Sequence, residues 1–334
     1  MIDVALIGCG FIGSRHAQAI EADAGLRLVA VTDRDTAAAR AVAEMSDSAE
    51  VIDAHEDAID EAAAVIVATP EAAHAEQAAA VLARDRHLIL EKPLTVETEQ
   101  AWELVAEAAQ RDVIAGTSFV LRYEDAHREL YDAVATGRFG EQIALRALRA
   151  ITRGESERVG PRGHPLYYMS IHDIDAVRWL AQAEVASVVA LERRGELVDA
   201  DVPDAMHALL EFDDGTIATV TGHGVLPDAG PSDIVAQLEL IGSDGVATLE
   251  TPGRVSAQIT RDGLRHPDLR HWPTIGGELR GAVRAQVAAF RRAITAGEPM
   301  TATLEDGAIA QTIADAIRRS AATGTPESVS RPDA

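Results

Sequence analysis

Lys92, in the stretch HLILEKPLT, is the only lysine in a chain of 334 residues; elsewhere a fixed positive side chain is always an arginine. The two cations differ in what they can do. Arginine is permanently charged behind a wide planar head, whereas lysine carries a compact ammonium whose pKa follows its surroundings. A lysine can therefore polarise a hydroxyl or exchange a proton. His172, in YYMSIHDIDAVRWL, is the second candidate. An imidazole titrates near neutrality and can accept the proton that an alcohol gives up on oxidation. Helical spacing puts Tyr168, His172 and Asp175 on one side, with Ile171, Ile174 and Val177 as an apolar flank. Taken alone, His172 is equally a packed or capping histidine, and a lone lysine is equally a survivor of compositional drift.

A third group of residues has a more specific spacing. VALIGCGFIGSRHAQAI places Gly8, Gly10 and Gly13 in a G-x-G-x-x-G pattern directly after an apolar run and at the start of a helical one. The first glycine permits a tight turn, the second lets a pyrophosphate approach the backbone, and the third lets helix and strand pack closely. Phe11 and Ile12 fill the positions between, and the free N–H groups of the helix start favour phosphates. Asp33, in VAVTDRD, lies 20 residues beyond Gly13. A carboxylate at the end of the second strand accepts hydrogen bonds from the adenosine ribose and repels a 2′-phosphate, which favours NAD over NADP. Arg34 tempers that preference, because it could stack on adenine or meet a phosphate. Capping of the next helix is the plainer role for Asp33. Cys9 is read as a packing residue.

These residues need elements to hold them. VALI, LRLVAVT, AAVIVATP, HLIL and VIAGTSF read as buried strands, alternating with alanine-rich stretches of helical length. Repeated strand–helix alternation implies a parallel sheet covered on both faces. Ligands bind such sheets at the carboxyl ends of the strands, where Thr69 and Pro70 of VATP and Glu91 and Lys92 of EKP would stand. After residue 119 the pattern changes. A helix is expected over EDAHRELYDAVATG, then longer alternating strands with Asp214-Gly215 and Asp244-Gly245 as hairpin turns. Two helical stretches close the chain. The expected organisation is residues 1–119 as a dinucleotide-binding domain and 120–334 as an α+β domain with a largely antiparallel sheet.

Composition narrows the partners. A net charge of -24 argues against nucleic acid and anionic membranes, which attract basic surfaces. The single Cys9 allows no intrachain disulfide, no apolar run is long enough to span a bilayer, and no basic leader precedes the first strand. A soluble, reducing, cytoplasmic setting is expected. The histidines show no His/Cys cluster with metal-ligand spacing, so no metal is expected.

Together, GCGFIGSRHA, VTDRD, VATP with His74 shortly after, EKPLT and SIHDIDAVRWL resemble the glucose-fructose oxidoreductase/inositol dehydrogenase/rhizopine catabolism (Gfo/Idh/MocA) family. The similarity extends to FVLRYED…ATGRFGEQ and to the closing DGAIAQTIADAIRRSA. It implies an α/β chain with an N-terminal Rossmann parallel sheet and a C-terminal α+β domain whose open sheet forms a homo-oligomer interface, dimeric or tetrameric. It also implies NAD and hydride transfer at a hydroxyl-bearing carbon of a sugar, cyclitol or polyol. Lys92 would contact both cofactor and substrate hydroxyl, Pro93 would follow a cis bond, and His172 would be the catalytic base. Thr69, Pro70, His74 and Glu91 join the cofactor set, and Arg122, Tyr123, Tyr168 and Asp173 the substrate set. A surface ion pair is the plainer role for Arg122. Inositol dehydrogenase-like members carry Asp where this chain has Tyr168, which weakens the case for inositol; Tyr168 is then read as a catalytic residue that donates to a substrate hydroxyl, with Asp173 or Asp175 orienting the imidazole. An NAD-using glycosidase and a non-catalytic sugar-sensing regulator are the competing readings.

The acidic, lysine-poor composition has two explanations: a surface built for a high-salt cytoplasm, where charges are screened over about 3 Å at 1 M salt, or the codon bias of a GC-rich genome. Melting temperature separates them. It rises from low to molar salt if the surface is salt-adapted, and a flat or falling dependence removes that explanation.

Overall fold

The apolar runs at the start of the chain become a parallel sheet. Its elements are β1 (Ile2–Ile7), α1 (Phe11–Glu21), β2 (Leu26–Thr32), α2 (Thr36–Ala43), β3 (Glu50–Val51) and α3 (His55–Asp60). They continue with β4 (Ala64–Val67), α4 (His74–Leu82), β5 (His87–Leu90), α5 (Thr98–Ala109) and β6 (Ala115–Thr117). Strand order is β3-β2-β1-β4-β5-β6, so the order reverses between β1 and β4. Strands covered on both faces carry continuous apolar runs, as all four residues of β4 do. Val65, Val67, Leu88 and Leu90 pack with Ala78 and Leu82 of α4 in one core, joined by Leu304 and Ala308 from the far end of the chain.

The structure, a computed structural model, describes residues 1–160, 164, 169–252, 256–261 and 263–331. They divide into two compact units: Met1–Asp125 with Arg270–Ala308, and Ala126–Leu269 with Ile309–Ala334. Residues 270–308 thus return to the first unit, a return that no local sequence pattern announces.

In the second unit come α6 (Asp125–Ala135), β7 (Gln142–Thr152), α7 (Arg153–Val159), α8 (Ile171–Ala181), β8 (Val185–Arg193), β9 (Ala205–Phe212) and β10 (Ile217–Leu226). Next are β11 (Ile234–Gly242), β12 (Val246–Thr251) and a small hairpin of β13 (Gln258–Thr260) and β14 (Gly263–Arg265). A second hairpin, β15 (Thr274–Ile275) and β16 (Glu278–Leu279), and then α9 (Ala282–Ala296), lie in the stretch that returns to the first unit. Finally α10 (Leu304–Thr323) leads to β17 (Glu327–Ser328).

The large sheet has the order β12-β11-β7-β10-β9-β8-β17 and is antiparallel except for the β7–β10 pair. Both Asp-Gly hairpins form, joining β9 to β10 and β11 to β12. Alternate residues of β9 are buried and exposed, the pattern of a sheet with one covered face.

Helix α8, which carries His172, is fixed to β7 by a buried ion pair. The Arg149 guanidinium donates to both oxygens of Asp173 at 2.7 and 3.0 Å, and the two residues are only 7% and 3% exposed. Asp173→Asn leaves the guanidinium buried without its counter-charge. The expected loss is about 3–5 kcal/mol of unfolding free energy, read by urea denaturation; a loss under about 1 kcal/mol would match a solvated surface pair instead.

Candidate dinucleotide and proton-transfer sites

The glycine loop follows β1 at the point where the strand order reverses, and each of its glycines is constrained differently. Gly8 has φ +98°, and a Cβ there would lie 2.6 Å from the Ala68 carbonyl group. A Cβ on Gly13 would lie 2.0 Å from the Gly8 carbonyl oxygen, so α1 sits against the loop as closely as backbones permit. At Gly10 a Cβ would meet no protein atom within 4 Å. No packing within the chain requires a glycine there, and the open space leaves the backbone accessible to a pyrophosphate. Gly10 is also the N-cap of α1, which has no side-chain cap and no acid in its first turn. Its first N–H groups are left for an anion. Phe11 is exposed at the mouth of the loop, Ile12 is half-buried, and Cys9 is buried with its thiol pushed up to about 12 by burial and by Asp33.

Asp33 stands at the end of β2 with one oxygen accepting the Cys9 N–H at 2.7 Å and the other the Asp35 N–H at 2.8 Å. Helix α2 is capped by Asp35, which accepts from Ala37 and Ala38, and not by Asp33. The Asp33 carboxylate is thereby held beside the glycine loop with lone pairs to spare for ribose hydroxyls. Arg34 is exposed next to it. A cradle vacant at Gly10, a bare helix start and a pinned acid fit a dinucleotide.

The neighbouring loops on the same sheet edge are held from beneath. Glu91 is 6% exposed, and its Oε1 lies 3.0 Å from Nε2 of His16 on α1. Its other oxygen accepts the Lys92 N–H at 3.2 Å. Burial pushes the Glu91 pKa up, but the His16 hydrogen bond and charge, the Lys92 charge and the Ser118 hydroxyl outweigh it, so the group lies below the ordinary glutamate value. Lys92 itself is half-buried, and the Lys92–Pro93 bond is cis. After β4, the Thr69 hydroxyl donates to Gln77 at 2.6 Å and Pro70 is exposed. His74, expected at the cofactor, has both ring nitrogens against backbone carbonyls, those of Pro93 and Thr69.

Other expected substrate residues are engaged inside the protein. Arg122 is buried and donates to the Thr301 carbonyl at 2.7 Å and to Asp306 at 3.1 Å, an ion pair but not a surface one. Tyr123 is buried beside it, and burial pushes its phenol up to about 12. Asp173 has both oxygens on Arg149. In the second unit, His172 lies half-buried in the first turn of α8 and Asp175 is buried on the same helix. Tyr168 lies outside the described residues. Among those described, no group of three or more His, Cys, Asp or Glu side chains is arranged to hold a metal ion, and no helix is long and apolar enough to cross a membrane.

Two features were not expected from the sequence. His16, three residues past Gly13, is the partner of Glu91; its place one turn into the helix was the available signal. Trp272 packs edge-to-face on Phe11 at 5.5 Å, although 261 residues separate them, and no local pattern could have paired them.

A glycine loop opening a helix at the switch point of a parallel sheet, with an acid closing the second strand, defines a dinucleotide-binding protein of the Rossmann class. Comparison with protein families agrees: residues 2–119 match the NAD-binding Rossmann model of an oxidoreductase family, and residues 132–329 match its C-terminal alpha/beta domain. The chain belongs to the Gfo/Idh/MocA oxidoreductase family. It is 28% identical over 330 residues to inositol 2-dehydrogenase 2 of Saccharopolyspora erythraea, covering 97% of this chain and 94% of that one. Among solved structures, GenD2 from gentamicin A biosynthesis in complex with NAD superposes with a TM-score of 0.84 at 26% identity, covering 99% of this chain and 97% of that one. The scyllo-inositol dehydrogenase of Lactobacillus casei, solved with NAD(H) and scyllo-inositol, shares the fold with a TM-score of 0.82 at 21% identity, covering 98% and 99%.

Proposed function

We propose that this oxidoreductase transfers hydride between NAD and a hydroxyl-bearing carbon of a cyclitol, sugar or related polyol. The observation that carries the reading is the placement of the chain's only lysine at the end of β5, on the sheet edge that bears the dinucleotide loop. Asp33 receives the adenosine ribose and disfavours a 2′-phosphate, which supports NAD over NADP. The nicotinamide, when bound, supplies the hydride acceptor. Lys92 holds the substrate oxygen and stabilises the charge that develops on it, and His172 takes the hydroxyl proton. Tyr168, four residues before His172 in the sequence, is assigned to donate to a substrate hydroxyl, and Asp175, buried on α8, to orient the imidazole. The names of the relatives make inositols the first substrates to try, and Tyr168, in place of an acid, argues for a wider polyol panel.

The exposed side of the large sheet supports a homo-oligomer. Val189, Leu191, Leu209 and Ile217 leave apolar area on adjacent strands facing water, and a second copy of the chain is assigned to cover it. Leu209→Glu is expected to shift sedimentation from an oligomer to the monomer. A wild-type monomer at micromolar concentration removes the assignment.

Activity is tested by following NADH absorbance across a panel of inositols, sugars and polyols. Lys92→Ala is expected to lower kcat by about 10²- to 10⁴-fold, the usual worth of positioned proton transfer. Turnover within about tenfold of wild type would refute the role of Lys92. Cleavage of a glycoside with no net NADH would assign the hydrolytic reading, and cofactor binding without any turnover the regulatory one.

A further inference from the structure

His74 is the first residue of α4, only 1% exposed, and its two ring nitrogens face two backbone oxygens. Nδ1 lies 2.8 Å from the Pro93 carbonyl and Nε2 lies 2.8 Å from the Thr69 carbonyl. A carbonyl oxygen only accepts, and a neutral imidazole has one N–H and one lone pair. In the neutral ring, one of these contacts would set lone pair against lone pair at hydrogen-bond distance. The imidazolium, with an N–H on each nitrogen, satisfies both.

The two carbonyls belong to different loops. Thr69 lies in the connection between β4 and α4 and Pro93 follows Lys92 after β5, so one ring spans both loops at the edge that carries the glycine loop. The charged groups around the ring are Glu71, from the turn ahead of α4, and Glu91, from the end of β5. Lys92 adjoins Glu91 in the chain, and His16 of α1 lies on the far side of Glu91. Burial pushes the basicity of His74 down, and the two carbonyls and two carboxylates oppose it; burial prevails, so the ring sheds its proton below the ordinary histidine value.

We propose that His74 is a positioning residue: its protonated ring ties the Thr69 loop to the Pro93 loop and so sets where Lys92 stands, whereas the neutral ring must release one of them. This deepens the reading given above, on which the purpose of holding Lys92 rests. The proton in question never reaches substrate. It moves between the ring and solvent while the protein interconverts between a form with both loops tied and a form with one.

The test needs no turnover, so its failure is separate from a failure of the assigned reaction. The full chain is labelled with ¹⁵N in histidine and with ¹³C in the backbone, and His74 is titrated between about pH 5 and 8. Expected at the acid end are two protonated ring nitrogens with couplings to both the Thr69 and Pro93 carbonyls; expected at the alkaline end is the loss of one. NAD affinity, followed by quenching of Trp fluorescence, should weaken by about fivefold through the same transition, the equivalent of one ordinary hydrogen bond. His74→Gln, which cannot donate in two opposite directions, should bind NAD more weakly and without that pH step. A ring that keeps one unprotonated nitrogen at every pH at which the protein is folded overturns the proposal. So does an NAD affinity whose pH dependence is the same in wild type and His74→Gln. If the variant does not fold, the titration of the wild-type ring decides alone.

Discussion

A carboxylate with almost no access to water is the constraint around which the dinucleotide-binding unit is arranged. An ion buried without partners would cost several kcal/mol, and Glu91 remains an anion because its neighbours converge on it. His16 reaches it from α1, and the Lys92 N–H from the following residue. These partners come from the helix after β1 and from the connection after β5, at the carboxyl edge of one sheet. Moving either costs Glu91 a partner, and so the helix that opens at the glycine loop and the loop that carries the lysine are held by a common charge. The glycines complete the arrangement from the other side: Gly13 lets α1 settle onto Gly8, which brings His16 down to the level of Glu91.

The sequence made the scaffold readable where periodicity and local turn chemistry decide structure. Apolar runs of four to seven residues between helical stretches became β1, β2, β4 and β5, and Asp-Gly pairs became hairpins. Elements too short to show a period escaped notice: β3 has two exposed residues, α3 six and α7 seven. The spacing of Asp33 from the glycine loop was legible, and so was the presence of a cap for α2, but only geometry separates the two roles between Asp33 and Asp35. The return of residues 270–308 to the first unit is a fact of tertiary packing. Nothing in the spacing of Trp272 encodes that it will touch Phe11.

Charged side chains near a motif are ambiguous in sequence for a physical reason. A carboxylate or guanidinium in an apolar neighbourhood is equally suited to a ligand and to a buried counter-ion, and the counter-ion is generally distant in sequence. Asp173 finds Arg149 24 residues away, and Arg122 finds Asp306 184 residues away. Adjacency to a recognisable motif suggests a substrate role for each, and in the structure each fastens the element that carries its motif. His74 likewise has both ring nitrogens on backbone carbonyls of two loops, those of Pro93 and Thr69.

This division of labour also accounts for the distribution of the two basic side chains. The chain's internal ion pairs repeatedly use the guanidinium fork: Arg149 on Asp173, Arg178 on Glu184 and Arg27 on Asp3 each place two nitrogens on two carboxylate oxygens. A fork suits such pairs because its planar donors match the carboxylate and its charge never titrates. The same permanence is a handicap where a bond to oxygen must strengthen as negative charge grows on that oxygen. There a compact ammonium on a flexible stem is the better group, since it can approach a single atom and can surrender or share a proton. On the proposed reaction, the chain's one lysine stands where the fork could not serve: Lys92 directly follows the buried Glu91 on the sheet edge that carries the dinucleotide loop.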